Sequence, residues 1–409
     1  MSDDPTDIEA DMEEAVDRGE ATAIMEPLQI SEGSPHREEL TELAVDLAAK
    51  SAGFRRSLPD GVVDALAELV RAMNCYYSNL IEGHNTHPVD IERAMRNDYS
   101  EEPRKRDLQL EARAHVTVQK WIDDGGLTGK AATQDGILEI HRRFGELLPE
   151  ELLWVEHPED GERVKLEPGR LRKRDVKVGD HVAISPGALP RFLERFEAVY
   201  SNLGKAGTIF SSAAAHHRLL WIHPFLDGNG RVARLMSYAM LRDALDTGGI
   251  WSIARGLARQ ESKYKDHLMA CDQPRQGDLD GRGSRSEAAL AAFTKFFLQT
   301  CIDQVTFMEQ LVQPNKLRER IRLWVEEEVR TDSLPPQAGN VLEAVLYRGE
   351  IPRGDVAGLV GTGDRQARRI LAALLEAGVL QSESQRAPLR IAFPAALAGR
   401  WMPGLFPEA

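Results

Sequence analysis

The segment His223-Pro-Phe-Leu-Asp-Gly-Asn-Gly-Arg-Val-Ala-Arg234 brings together an imidazole, a carboxylate, two guanidiniums and a Gly-Asn-Gly turn. Apolar residues recur at helical spacing on both sides of it, over residues 207–222 and again over residues 232–240. Pro224 and the two glycines interrupt that spacing. The pattern therefore predicts two helices joined by a short loop, and we expect the rest of a mainly α fold to pack around them.

The start of the second predicted helix is suited to binding phosphate. Its first N–H groups have no partner within the helix and carry the positive end of the helix dipole. Gly228 and Gly230, on either side of Asn229, allow positive φ values and a close approach of the main chain to an anion. Arg231 and Arg234 are three residues apart, so they share a helix face and can both bind phosphate oxygens.

Two side chains of the segment add reactive chemistry to this predicted phosphate site. Asp227 can hold Mg²⁺ together with phosphate oxygens, since this ion often uses a single carboxylate. His223 can accept a proton from a hydroxyl near neutral pH. For either residue alone, a structural role in an interhelical turn is the better interpretation. The combination in this order favours a catalytic site.

The segment also resembles the signature of the Fic (filamentation induced by cAMP) family, H-x-F-x-D/E-G-N-G/K-R-x-x-R, at every fixed position. The resemblance implies a Fic-type helical domain that transfers AMP from ATP to a Ser, Thr or Tyr hydroxyl of a target protein. It implies that His223 is the general base and Asp227 the Mg²⁺ ligand. The implied nucleotide-binding residues are Gly228, Asn229, Gly230, Arg231 and Arg234. Glycine at position 230 is typical of adenylylating members, whereas the kinase-like branch tends to have lysine there.

A second motif, Ser78-x-x-x-Glu82-Gly83, lies at the end of another predicted helix. Gly83 is the residue type expected just after a helix. Beside the Fic signature, the motif resembles the family's inhibitory-helix motif, S/T-x-x-x-E-G/N. The resemblance implies that Glu82 pairs with Arg234 and occupies the γ-phosphate position. ATP would then bind poorly, or with its α-phosphate misaligned. The alternative is an ordinary helix end, because so short a pattern also occurs by chance.

Residues 149–188 interrupt the helical pattern with proline, glycine and charged residues. Val176-Lys177-Val178 and residues 181–184 predict a β-hairpin that turns at Gly179-Asp180. The stretch 169–179 resembles the Fic flap, which implies that Val176, Lys177 and Val178 pair with the main chain of a target protein. A plain surface hairpin is the alternative. The basic residues Arg170, Arg172, Lys173 and Arg174 would either attract acidic targets or form a solvated loop.

The chain after Leu334-Pro-Pro336 predicts a winged helix-turn-helix domain. Three helices are expected at residues 341–346, 352–360 and 364–377, followed by a two-stranded wing over residues 378–393. Arg365, Arg368 and Arg369 lie near the start of the third helix, where a recognition helix contacts DNA. Winged helices also dock proteins, and we favour protein docking over DNA binding because the chain is acidic.

These patterns divide the chain into six segments. An acidic segment with the composition of a disordered tail occupies residues 1–33. A helical region with the inhibitory helix follows at 34–110, and the predicted Fic catalytic domain spans 111–312. A linker helix at 313–333 leads to the winged-helix domain at 334–396 and to a C-terminal tail at 397–409.

Composition excludes several classes of protein. A net charge of −14 argues against general coating of nucleic acid. The three cysteines lack C-x-x-C spacing, so neither a disulfide framework nor a zinc site is indicated. The sequence contains no apolar run of membrane-spanning length, and its acidic N-terminus is unlike a signal peptide. We therefore expect a cytoplasmic protein without a membrane partner.

The sequence thus predicts an autoinhibited protein adenylyltransferase that uses ATP and Mg²⁺ on an unidentified target protein. Family members often dimerise, so a homodimer is compatible with the resemblance. Two alternatives use the same site: transfer of another phosphate-linked group, such as UMP or phosphocholine, and removal of AMP. A third alternative is a DNA-binding regulator whose Fic domain serves as a sensor.

Overall fold

The computed structural model describes residues 15–156, 161–277 and 285–407. Within these ranges most residues are helical. The helices are α1 (Arg37–Arg56), α2 (Asp60–Ile81), α3 (Pro88–Met95), α4 (Pro103–Asp123), α5 (Gln134–Glu146), α6 (Leu189–Tyr200), α7 (Lys205–Ile222), α8 (Asn229–Leu245), α9 (Ala254–Arg259), α10 (Glu261–Asp272), α11 (Arg285–Leu311), α12 (Pro314–Arg330), α13 (Ala338–Arg348), α14 (Val356–Val360), α15 (Asp364–Glu376) and α16 (Ala398–Trp401).

The core is built around α7 and α8, the two helices predicted on either side of residues 223–234. α7 is buried along nearly its whole length from Ile209 to Ile222. Its neighbours are α8 together with α1, α6, α10 and α11. A helix enclosed in this way has no solvent-exposed polar face, and its polar side chains, such as His216 and His217, are buried with it. The mainly α fold class is therefore confirmed.

The short strands form small antiparallel sheets. β1 (Trp154–Glu156) pairs with β2 (Arg163–Lys165), and β3 (Lys177–Val178) pairs with β4 (His181–Val182). The second hairpin turns at Gly179-Asp180, as predicted. The first hairpin was not predicted from the sequence, because six residues separate its strands in place of the two-residue turn that marked the second hairpin.

The region after residue 334 contains the predicted helices together with a third strand. β5 (Glu350–Ile351), β6 (Leu380–Gln381) and β7 (Leu389–Ile391) form a sheet in the order β5-β7-β6. α13, α14 and α15 lie at the predicted helix positions, and Arg365, Arg368 and Arg369 on α15 are exposed. This element order is compatible with the predicted winged helix. The domain type and its partner both stay predictions.

The C-terminal segment packs against α2. Trp401 is 1% exposed. The hydroxyl of Tyr77 on α2 donates to the carbonyl of Leu405 (2.9 Å). The ring of Phe406 meets Tyr76 edge-on with centroids 5.7 Å apart. The structure thus differs from the predicted C-terminal tail at 397–409: Trp401, Met402 and Leu405 join the core. Residues 408–409 lie outside the described residues.

The structure also differs from the predicted disordered tail over residues 15–33. Met25 is 0% and Leu28 is 2% exposed. Tyr200 of α6 donates to the carbonyl of Leu28. The carboxylate of Glu20 accepts hydrogen bonds from the N–H (2.8 Å) and the hydroxyl (2.6 Å) of Ser185. The segment is acidic overall, but its few apolar side chains contact partners that only the tertiary structure brings near. Residues 1–14 lie outside the described residues.

Among the described residues, no helix combines the length and the apolar character that crossing a membrane requires.

Candidate active site

The main chain turns sharply at His223, directly after α7. His223 has a left-handed backbone, with φ 52° and ψ 63°, and its N–H donates to the carbonyl of Leu219 (3.1 Å). Pro224 then lacks the N–H that a continuing helix needs. A left-handed conformation costs a non-glycine residue about 1–2 kcal/mol. Contacts around His223 must therefore hold it in place.

Asn229 closes the loop between the two helices. Its side-chain oxygen accepts from the N–H of Phe225 (3.0 Å), and its side-chain nitrogen donates to the carbonyl of Phe225 (2.9 Å). Asn229 is 3% exposed. Its side chain is thus engaged in holding the loop, which the sequence interpretation as a nucleotide-binding residue did not include.

The first turn of α8 offers main-chain donors. Its first helical hydrogen bond runs from the N–H of Val232 to the carbonyl of Gly228 (2.9 Å). The N–H groups of residues 229–231 precede this bond, so they have no acceptor within the helix. Gly228 has φ +82°, a conformation that favours glycine. The loop geometry therefore supports the predicted anion-binding turn.

The two arginines of the segment have different surroundings. Arg231 donates to the carboxylate of Asp227 (2.8 Å), and its guanidinium lies over the ring of Phe144, 4.8 Å from the centroid. Arg234 is 3% exposed and donates to the hydroxyl of Ser78 (2.8 Å). Arg234 also donates to a carboxylate oxygen of Glu82.

The contact between Glu82 and Arg234 joins residues 152 positions apart in the sequence. α2 ends with the expected glycine: Gly83 has φ +82°, and the N–H of His84 donates back to the carbonyl of Asn79 (2.9 Å). This helix end places Ser78 and Glu82 one turn apart, where both meet the same guanidinium. The structure therefore brings the residues of the two motifs together.

Glu82 is ionised in this arrangement. Burial raises the pKa of Glu82, but the attraction and hydrogen bond of Arg234 and the charge of Arg231 outweigh it, so the pKa lies below its ordinary value. The side chain is nevertheless 35% exposed, so water screens part of the attraction.

His223 is neutral at physiological pH. Burial, reinforced by the positive charge of Arg172, lowers the pKa of His223 to about 4. A neutral imidazole can accept a proton, so the surroundings keep His223 in the form that a general base requires.

The surroundings of Asp227 show whether this residue can hold the Mg²⁺ ion that the resemblance implies. Among the described residues, no group of three or more His, Cys, Asp or Glu side chains is arranged to hold a metal. Asp227 has a side chain that is 59% exposed and lies beside Arg231 at the phosphate-binding turn. A single accessible carboxylate fits Mg²⁺, since this ion completes its shell with water and substrate phosphate oxygens.

The hairpin of β3 and β4 leaves one edge open. Within the described ranges β3 pairs only with β4. Lys177 and Val178 are exposed, whereas Val176 is half-buried and its carbonyl accepts from the N–H of Ala183 (3.2 Å). An unpaired strand edge can accept an additional strand. Arg172 was expected either to attract acidic targets or to lie in a solvated loop. The structure contradicts both, because Arg172 is only 2% exposed.

Two residues near the phosphate-binding turn were not identified from the sequence. His141 stacks on the ring of Phe225 with centroids 3.8 Å apart, and its Nδ1 accepts from the N–H of Gly169 (2.9 Å). Glu111 lies 2.7 Å from Nδ1 of His84 and 3.9 Å from Arg231. Both line a cavity that also contacts Asp227. No motif marks them, since each reaches the site from a different helix.

Comparisons with known proteins agree on one family. Residues 131–241 match the model of the Fic/DOC family. A protein adenylyltransferase Fic from Nematostella vectensis is 33% identical over 216 residues, which cover 51% of this chain and 47% of that protein. A protein adenylyltransferase Fic from Drosophila grimshawi is 28% identical over 200 residues, which cover 46% of this chain and 38% of that protein. The chain thus spans less than half the length of these relatives.

A solved structure shows a similar fold over a larger part of the chain. A Fic family protein from Desulfovibrio desulfuricans G20 superposes with a TM-score of 0.52, covering 89% of this chain and 98% of that one. The sequence identity is 17%, so the likeness concerns the fold alone.

Proposed function

We propose that this chain, whose residues 131–241 match the model of the Fic/DOC family, is a protein adenylyltransferase that transfers AMP from ATP to a hydroxyl of a target protein. The observation that carries the proposal is the placement of a neutral imidazole, His223, in the turn that leads into the anion-binding start of α8. A base beside a polyphosphate site is the arrangement that attack by a hydroxyl on a phosphate requires.

The proposed reaction is an in-line displacement at the α-phosphate. His223 takes the proton of the target hydroxyl, and the hydroxyl oxygen forms a bond to the α-phosphorus. The bond from that phosphorus to the oxygen bridging the α- and β-phosphates breaks, and pyrophosphate leaves with the bonding electrons. Arg231, Arg234 and the N–H groups at the start of α8 stabilise the charge on the phosphates.

Asp227 would hold Mg²⁺, which neutralises phosphate charge when bound. The residue's own contribution is to present a carboxylate at the phosphate-binding turn, where the hydrogen bond from Arg231 fixes its orientation. The open edge of β3 would align the target by main-chain pairing, with Val176, Lys177 and Val178 as the docking strand.

Glu82 is proposed to inhibit this reaction. Its carboxylate accepts a hydrogen bond from the guanidinium of Arg234, which a γ-phosphate would otherwise bind. The hydroxyl of Ser78 accepts a hydrogen bond from the same guanidinium. Because Glu82 is ionised, it also repels the negative charge of ATP. Movement of the C-terminal end of α2 would therefore be needed before ATP binds productively.

The test of the proposed function is the source of the transferred label. In the Glu82→Gly variant, incubated with Mg²⁺ and a cell lysate, we expect protein labelling from ATP radiolabelled at the α-phosphate to exceed that of the lysate alone, with no such increase from ATP labelled at the γ-phosphate. Adding His223→Ala should lower labelling by about 10²-fold or more, the usual contribution of a general base. Circular dichroism should show that both variants are folded.

Other outcomes point to the alternatives. An increase in γ-phosphate labelling over that of the lysate alone would indicate phosphate transfer, and labelling from UTP but not from ATP would indicate UMP transfer. Release of AMP from a previously labelled protein by the wild-type chain would indicate the reverse reaction. Binding of a specific DNA sequence by the full chain, with no labelling from any nucleotide, would favour the regulator.

The absence of a side chain at Gly230 gives a second prediction. A Cβ at this position would overlap Oε1 of Glu82 and lie 3.0 Å from Arg234. We expect Gly230→Ala to displace the Glu82 carboxylate and raise α-phosphate labelling by about 10-fold, which corresponds to about 1.4 kcal/mol.

The control for Gly230→Ala is the same substitution in the Glu82→Gly background. No further gain is expected there, because the group that the methyl displaces is already absent. A loss of activity in both backgrounds would instead show that the methyl group disturbs the phosphate site.

A further inference from the structure

The end of α7 presents carbonyl groups that the helix itself does not satisfy. The last four carbonyls of any α-helix lack an N–H from a following turn, and the helix dipole concentrates negative charge there. The carbonyl of Trp221 accepts from Nε2 of His181 on β4 (2.8 Å). The carbonyls of His223 and Pro224, just beyond the helix, lie in the turn that carries the proposed general base. Their partner comes from the segment just before β3.

That partner is Arg172. Its Nε donates to the carbonyl of His223 (2.7 Å), and its own main-chain N–H donates to the carbonyl of Pro224 (2.9 Å). The two remaining guanidinium nitrogens donate to the carbonyls of Arg174 (2.8 Å) and Ile184 (2.6 Å). Arg174 precedes β3 and Ile184 follows β4, so one side chain joins the turn at His223 to both ends of the hairpin.

The burial of Arg172 excludes a direct contact with a target surface. Arg172 is 2% exposed, whereas its neighbours Arg170 and Lys173 are exposed. Its three acceptors are neutral carbonyls rather than a carboxylate, which is an unusual use of a buried guanidinium. Desolvation accordingly lowers the pKa of Arg172 to about 10, so it remains charged at neutral pH.

We propose that Arg172 is a positioning residue, whose guanidinium holds the left-handed turn at His223 and the β3–β4 hairpin as one rigid unit. The inference rests on the proposed function. In that function the rigid unit keeps a fixed distance between His223, the general base, and β3, the strand that aligns the target hydroxyl. Lysine cannot replace arginine here, because an ammonium group lacks the planar fork that reaches three carbonyls in different directions.

Kinetics of Arg172 variants test the proposal. In the Glu82→Gly background, we expect Arg172→Gln and Arg172→Lys to lower kcat for labelling of lysate proteins from α-labelled ATP by about 10²-fold, the effect of a base displaced by about 1 Å. The KM for ATP should change by less than about 3-fold, because the nucleotide would bind at the start of α8, which Arg172 does not contact. Guanidinium ions added to Arg172→Ala should restore part of kcat.

Arg106→Gln is the matched control, since Arg106 is an exposed arginine near the start of α4. It should leave kcat and KM unchanged. An unchanged kcat in a folded Arg172→Gln would overturn the proposal. So would a parallel loss of kcat and ATP affinity, or loss of the fold in every Arg172 variant, because a merely structural role predicts those results.

A measurement without nucleotide separates this proposal from the proposed function. In protein with isotope-labelled histidine, the imidazole NMR signal of His223 is assigned by its loss in His223→Ala. We expect that signal to broaden or split in Arg172→Gln and to stay unchanged in Arg106→Gln. If no variant labels any protein but the His223 signal still depends on Arg172, the proposed function fails while the positioning contact stands. A His223 signal that is the same with and without Arg172→Gln would overturn the positioning contact itself.

Discussion

Replacing Glu82 by glycine is expected to raise α-phosphate labelling by at least about 10-fold over the wild-type chain, since a hydrogen bond to a charged group contributes about 1.5–3 kcal/mol. We expect the lower part of this range because the Glu82 side chain is 35% exposed and its attraction to Arg234 is screened. The substitution frees the guanidinium of Arg234 and removes a negative charge from the phosphate site. Isothermal titration with ATP should show tighter binding in parallel.

Two further variants make this prediction specific. Glu82→Gln keeps the shape of the side chain without its charge, and it should give an intermediate gain. Glu376→Gly removes an exposed carboxylate at the end of another helix, α15, and should change nothing at the site. Equal labelling by the wild-type chain and Glu82→Gly would show that the contact with Arg234 does not inhibit. ATP binding without labelling in any variant would indicate a different donor.

Acidification is expected to unfold the protein cooperatively as the pH falls from about 6.5 towards 4. Three histidines, His115, His216 and His217, are 0% exposed. Burial is the main cause that lowers the pKa of His115 and His216 to about 3 and that of His217 to about 4, with nearby arginines adding to it. In the unfolded chain each would bind a proton near its ordinary pKa of 6.5.

The sign of the effect follows from proton uptake. Below about pH 6.5 the unfolded state binds more protons than the folded state, so the free energy of unfolding falls as the pH falls. Each histidine contributes about 1.4 kcal/mol per pH unit, and the three together about 4 kcal/mol per pH unit. Domains are stable by only about 5–15 kcal/mol, so one or two pH units remove much of the stability. Urea unfolding midpoints measured at about pH 7.5, 6.5 and 5.5 check this dependence.

His115 allows a direct test of the cause. Neither ring nitrogen has a hydrogen-bond partner among the described residues, so an apolar side chain of similar size can replace it. We expect His115→Leu to reduce the pH dependence of the unfolding free energy below pH 6.5 by about 1.4 kcal/mol per pH unit, the contribution of one histidine. His87→Gln, at an exposed position, should leave it unaltered. Midpoints that do not move between neutral pH and pH 5.5 would refute the explanation.

The local parts of the site could be predicted from the sequence because they depend on neighbouring residues. Pro224 and the glycines interrupt the helical spacing, so the loop between α7 and α8 could be located. Gly83 marked the end of α2, and Gly179-Asp180 marked the hairpin turn. The roles of His223 and Glu82 came from the resemblance to the Fic family, and they stay predictions until the labelling experiments are done.

Other features could not be predicted, since they depend on residues far apart in the chain. The acidic composition of residues 15–33 indicated disorder, yet Met25 lies in the core because α6 and its neighbours provide an apolar surface. The segment after residue 397 was predicted to be a tail, yet the carbonyl of Leu405 accepts a hydrogen bond from Tyr77 of α2. Neither partner is visible in the local sequence.

By itself the sequence determined the helical framework, the loop at residues 223–234 and the chemical groups available there, because proline, glycine and apolar spacing act within a few residues. Only the tertiary structure decided which groups meet. It placed Glu82 against Arg234 across 152 positions of sequence. It also buried Arg172 beneath the turn at His223 while leaving its basic neighbours exposed. Burial and long-range pairing follow from the packing of whole helices, which no local pattern specifies.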